Sequence, residues 1–409
     1  MFRWRSLSAA LIAATLVIPP GCLGWDEFLQ QLTERPDRSP GDTPTQPPDA
    51  GVPAVGAADG GRSDAGSAVD ASTPDPRRPD LRAPYTPDGD VAFIDFFKPH
   101  HQMAIAMAEH VVDHGSDPEV RRLAERIHRV QSRELVVLRD AREELTGEGD
   151  YPPIHDPVGD ADHARLTSLE GGALDVAFLA HMIPHHGDGI APAHRAVARV
   201  RREDLRALAR AIEHGQSAEI GEMYALLERL TGDARAALRR EAFEIPAGAV
   251  RMPPDLRAPF TPTGDVAFTD FFIPHHESAV MMAQMVLDRG ADPEVRRLAA
   301  EIRTAQLREI EVMRDARRAL GVAPEPPPIR DPVMEREMAL MRTLSGAELD
   351  QMFLREMIPH HASGLEPAHR AHPVLRRDEL SELASDILDA QAREVGTMHG
   401  LLERLAGGH

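Results

Sequence analysis

The chain has 409 residues, with 46 lysines and arginines against 66 aspartates and glutamates and a formal charge of −20. That balance argues against nucleic acid or an anionic membrane surface as partner and suits cations. Cys22 is the sole cysteine, which excludes an intrachain disulfide and a thiolate metal cage.

At the N-terminus, Arg3 and Arg5 precede an apolar run from Leu7 to Ile18 and then Gly21-Cys22. A basic start, a short hydrophobic core and a small residue at the cut predict a signal peptide over residues 1–21. The run is too short to span a bilayer comfortably. Cys22 directly after the glycine resembles a bacterial lipobox, in which that cysteine is lipidated and becomes the mature N-terminus; Pro19 and Pro20 depart from the usual residues before it. Residues 22–79 are rich in Pro, Gly, Ser and Asp with few large apolar side chains. Such a segment buries too little surface to offset its ordering entropy, so it reads as a disordered tether. The expectation is an exported cell-envelope lipoprotein, periplasmic or at the outer membrane, which meets the membrane only through the lipid.

From Asp80 onward the chain repeats itself. The run from Asp80 to Phe93 returns as Asp255 to Phe268, an offset of 175, and inside each copy two His-His units lie 85 residues apart. The four units are Pro99-His100-His101, Pro184-His185-His186, Pro274-His275-His276 and Pro359-His360-His361. Thirty residues after each second histidine comes a Gln, and three further on a Glu: Gln131/Glu134, Gln216/Glu219, Gln306/Glu309 and Gln391/Glu394. Each unit reads as a helical hairpin, starting near the Pro-His-His with proline in its first turn and closing with an amphipathic helix. Two hairpins bury their apolar stripes as a four-helix bundle. The predicted fold is therefore all-α: a first bundle domain over 80–233, a linker over 234–254 and a second bundle domain over 255–409.

On the second helix of each hairpin, Gln and Glu share the apolar stripe, which places a carboxylate toward the core in need of a partner. On the first helix, His100, Met103 and Met107 follow one face, and His275 with Met282 repeats it. In the other halves His186 with His194, and His361 with His369, recur at i, i+8, while Pro192 and Pro367 take the Met position and predict a kink helped by Gly189 and Gly364. Histidine and methionine without cysteine suit copper or silver. The candidate ligands are His100, His101, Met103, Met107, His185, His186, His194, His275, His276, Met282, His360, His361 and His369. The four Gln/Glu pairs would hold the imidazole N–H groups.

Asp-Val-Ala-Phe, Ile-Pro-His-His, the Asp-Pro-Glu-Val-Arg-Arg-Leu-Ala turn and Gln-x-x-Glu-Ile-x-x-Met together resemble the domain of unknown function 305 family. The resemblance covers about residues 88 to 408, in two tandem copies. It implies a ferritin-like four-helix bundle in exported bacterial proteins, some linked to copper or silver binding. The expectation is a non-enzymatic copper-binding protein that scavenges, buffers or delivers the ion. A cell-surface structural protein with a buried His/Gln/Glu network is the alternative. A ferritin-like dimetal oxidase is less favoured, because only Glu366-x-x-His369 has the expected spacing and Pro367 interrupts it.

Overall fold

The computed structural model describes residues 80–151, 153–250 and 257–407, and among these residues the protein is all-α, with twelve helices and no strand. The signal peptide, Cys22 and the 22–79 tether lie outside the described residues. The first repeat runs α1 (Asp90–His114), α2 (Pro118–Thr146), α3 (Pro157–Thr167), α4 (Gly171–Ala196) and α5 (Glu203–Thr231). Two short helices, α6 (Ala234–Phe243) and α7 (Ala247–Val250), occupy the segment read as a linker. The second repeat runs α8 (Asp265–Arg289), α9 (Pro293–Ala319), α10 (Pro332–Met341), α11 (Gly346–Ala371) and α12 (Asp378–Ala406).

The hairpins begin where local chemistry demands it. Asp117 and Asp292 accept the free N–H groups of the first turns of α2 and α9, with Pro118 and Pro293 next in line. Gly147 and Gly232 close α2 and α5 at positive φ. The Pro-His-His triplets correct the sequence expectation: they sit in the middle of α1, α4, α8 and α11, not at a first turn. One interior proline costs about 3 kcal/mol. The turns before it bury Phe93, Phe96 and Phe97 completely or nearly so in α1, and each phenylalanine returns about 1.5–3 kcal/mol. Burial therefore wins, and the helix continues through the proline. The short α3 and α10 between the hairpins also escaped the four-helix expectation.

The repeats do not stand apart. Each contributes four long helices, but α4 packs on α11 and α5 on α12 across the repeat boundary as well as on its own hairpin partner. One continuous apolar core runs from α1 to α12. The contacts across the boundary are reciprocal under the 175-residue offset: Arg195 clasps Asp331 at 3.0 and 2.5 Å, and Arg370 clasps Asp156 with both contacts at 2.7 Å. Gly221 faces its own equivalent, Gly396; a Cβ on Gly396 would stand 2.6 Å from the Gly221 Cα. Residue i meeting j while j meets i is the signature of a two-fold interface, here built within one chain.

Candidate metal centre

The two halves of each repeat meet at their first histidines. The His100 and His185 rings lie 4.0 Å apart between centroids, and those of His275 and His360 3.9 Å. His100 Nε2 donates to the His185 carbonyl at 3.1 Å, and His275 Nε2 to the His360 carbonyl at 3.0 Å. In the second repeat Ser278 Oγ donates to the His275 carbonyl and accepts from His360 Nε2 at 2.8 Å. Each of these bonds places the ring proton on Nε2 and leaves the lone pair on Nδ1. The Nδ1 atoms of all eight histidines in the four pairs are buried without a hydrogen-bond partner.

The second histidine of each pair is fully buried and meets the glutamate of its own hairpin. His186, His276 and His361 hydrogen-bond through Nε2 to Glu219, Glu309 and Glu394 at 2.8, 2.7 and 2.9 Å. His101 Nε2 lies 2.7 Å from Glu134 Oε2 but without hydrogen-bond geometry. Burial, then the charge on His186, drives His101 down to about 3, while burial and the neighbouring Glu219 push Glu134 up to about 8. That pair is held neutral. Burial, with neighbouring imidazoles next, also holds His100, His185, His275 and His360 well below the ordinary histidine range. The four rings therefore stay neutral, the form that ligates a metal.

Gln131, Gln216, Gln306 and Gln391 are buried on the same stripe. A Cβ on Gly189 would stand 2.3 Å from Gln216 Oε1 and 3.0 Å from His100 Cε1; Gly364 is in the same position toward Gln391 and His275. These glycines make room for the ring and the amide, and α4 and α11 continue as helices through Pro192 and Pro367.

The methionines separate. Met103 and Met107 line a cavity of about 120 Å³ with His100 and His185. Met282 is fully buried in the apolar core, while its neighbour Met281, with Met334 and Met338, lines the corresponding cavity of about 350 Å³ beside His275 and His360. Those three thioethers were missed, because two sit on α10, which the sequence did not announce.

His194 and His369 correct the expectation more sharply. Neither joins the histidine pairs; both reach across the repeat boundary. His194 bonds Glu213 at 3.0 Å through Nδ1, and its Nε2 lies 3.4 and 3.3 Å from Glu337 and Glu356. His369 Nε2 approaches Asp162 at 3.4 Å. Glu366 instead bonds Arg370 at 2.6 Å, so Glu366-x-x-His369 does not form one ligand set. Among the described residues, the histidine and carboxylate groups with three ligand atoms mutually within 4.8 Å are Asp162/His181/His369, His194/Glu337/Glu356 and the part-exposed His214/His399/Glu403. The paired histidines thus offer adjacent imidazoles with thioethers beside them, and no third histidine or carboxylate completes such a group there among the described residues.

A search of the curated proteins returned no match. Among solved structures, the chain is similar to a DUF305 protein from Streptomyces coelicolor described as secreted, with 30% identity over 35% of this chain and 93% of that one, at a TM-score of 0.31. It is also similar to CopM in its Cu(II)-bound form, with 28% identity over 36% of this chain and 99% of that one, at a TM-score of 0.32. The family model described as a domain of unknown function, DUF305, matches residues 50–142, 90–227 and 265–402, and the chain therefore belongs to that family, in tandem copies.

Proposed function

We propose that the protein is a non-enzymatic, extracytoplasmic metal-binding protein whose cargo is copper, or silver, which it scavenges, buffers or delivers. The observation that carries this reading is the set of buried, unpartnered Nδ1 atoms, four of them on neutral rings that lie against each other in tilted pairs, two of which donate Nε2–H to a carbonyl. A metal-ligating imidazole characteristically gives its other N–H to a carbonyl or carboxylate, and the thioethers of Met103 and Met281 beside these rings favour the monovalent ion. The basic and apolar N-terminal run supports export, and Cys22 supports a lipid anchor.

The His–Glu bonds in three of the four hairpins favour a second reading, in which the histidines are a structural network. Competitive titration with Cu(I), Cu(II), Ag(I) and Zn(II) separates the two. Copper or silver bound at one or two ions per repeat, and lost when His100, His185, His275 and His360 are changed to Ala, supports the first. Binding no tighter than millimolar, with the variant merely less stable, establishes the second.

A further inference from the structure

The two-fold relation between the repeats makes two of the clusters above equivalent. Adding 175 to Asp162 and His181 gives Glu337 and Glu356, and subtracting 175 from His369 gives His194. The same three positions therefore come together twice, each time with two residues from one repeat and one from the other. In the first cluster all three side chains are buried: Asp162 is 8% exposed, His181 2% and His369 0%. Asp162 turns one oxygen to each ring, with Oδ1 3.3 Å from His181 Nδ1 and Oδ2 3.4 Å from His369 Nε2. Both His181 nitrogens lack a hydrogen-bond partner despite full burial. Glu241 from α6 stands 3.8 Å behind His181 Nε2, on the side away from Asp162, where a carboxylate orients a metal-bound imidazole. Asp162 and His181 open onto the first-repeat cavity. Of the nearby cations, Arg165 pairs with Glu241, and Arg370 is engaged by Asp156 and Glu366.

We propose that Asp162, His181 and His369 bind a divalent transition-metal ion that bridges the two repeats, separate from the copper at the histidine pairs. Two imidazoles and one carboxylate, with no sulfur in the set, select ions of the Zn(II), Co(II) and Ni(II) class over a monovalent soft ion. The equivalent cluster keeps only one imidazole, so the ion takes the first site preferentially. Because one ligand comes from the second repeat, occupancy couples the docking of the repeats to metal.

The test is Co(II) titration of the full chain, read by its visible d–d absorption and by the thermal midpoint. One equivalent of Co(II) should bind, be displaced by Zn(II) and raise the midpoint. His181→Gln and His369→Gln, close to isosteric and checked by circular dichroism, should each weaken that equivalent at least tenfold. His194→Gln should leave it intact, and so should His100→Ala with His275→Ala, which remove the proposed copper ligands. Failure of the copper reading thus leaves this result untouched. Unchanged Co(II) affinity and spectrum in both His181→Gln and His369→Gln, or no Co(II) binding tighter than millimolar in the unaltered chain, would overturn the proposal and leave the cluster as an ion-pair network.

Discussion

A histidine buried as the neutral ring carries two separate consequences, one for binding and one for stability. For binding, the proton must stay on the nitrogen that faces the protein. Ser278 does this for His360, whereas its equivalent in the first repeat is Met103. Ser278→Ala should therefore weaken copper or silver binding at the second repeat by about tenfold, the usual scale for losing the partner that orients a ligand, and leave the first repeat unchanged; site-resolved titration by NMR of the histidine rings checks it. For stability, His372 is the clearest case. It is 1% exposed, donates Nδ1–H to the Ala368 carbonyl and accepts at Nε2 from Ser385 Oγ, both at 2.9 Å, and burial with the nearby His369 lowers it from 6.5 to about 4. A histidine depressed on folding is protonated first in the unfolded chain. Its contribution is thus complete above pH 6.5 and is lost as the pH falls from 6.5 toward 4, by roughly 3 kcal/mol in total. Urea midpoints between pH 7.5 and 4.5 should fall less steeply in His372→Gln than in the unaltered protein. The candidate ligand pairs were legible as repeated His-His, since four identical spacings are visible without coordinates. The partners His181, Asp162, Glu337 and Glu356 were not, because none shares a motif or a regular spacing with the residue it meets.

At the scale of the helix, the element that ties a hairpin turn to its neighbour is a buried aspartate. Asp175 on α4 accepts from the Ser116 and Asp117 amides and from Ser116 Oγ, at 3.1, 2.7 and 2.6 Å, and Asp350 on α11 accepts from Ala291 and Asp292 in the same way. Asp175→Ala would remove the charged acceptor of all three contacts, at a cost of about 1.5–3 kcal/mol. Chemical denaturation should register that loss with the helical circular dichroism at low denaturant unchanged; a loss under 1 kcal/mol would contradict it. The long helices were readable from apolar periodicity and from Asp-Pro starts, yet the position of Pro-His-His inside them was not. Proline propensity speaks for a helix start, and only the burial of the preceding phenylalanines overrides it.

For the molecule as a whole, the continuous core predicts that both repeats unfold in one transition. Two resolved calorimetric transitions would contradict the shared core. The Arg195–Asp331 and Arg370–Asp156 clasps belong to the same interface. Arg195→Met leaves the buried Asp331 without its cation and should cost about 3–5 kcal/mol, shifting the single transition downward without splitting it. What the sequence determined by itself was the helical class, the duplication at an offset of 175 and the recurrence of a histidine pair and a core-facing glutamate in each hairpin, all of which follow from periodicity along one or two neighbouring helices. What the tertiary structure alone decided was how the repeats meet: that α4 and α5 pack on α11 and α12, and that His194 and His369 each meet a carboxylate of the other repeat across the boundary. The packing of one repeat on another is set by the shape and charge of whole helix faces. Those faces bring together residues more than 200 positions apart, such as Asp162 and His369 at 207, and local periodicity carries no record of such a pairing.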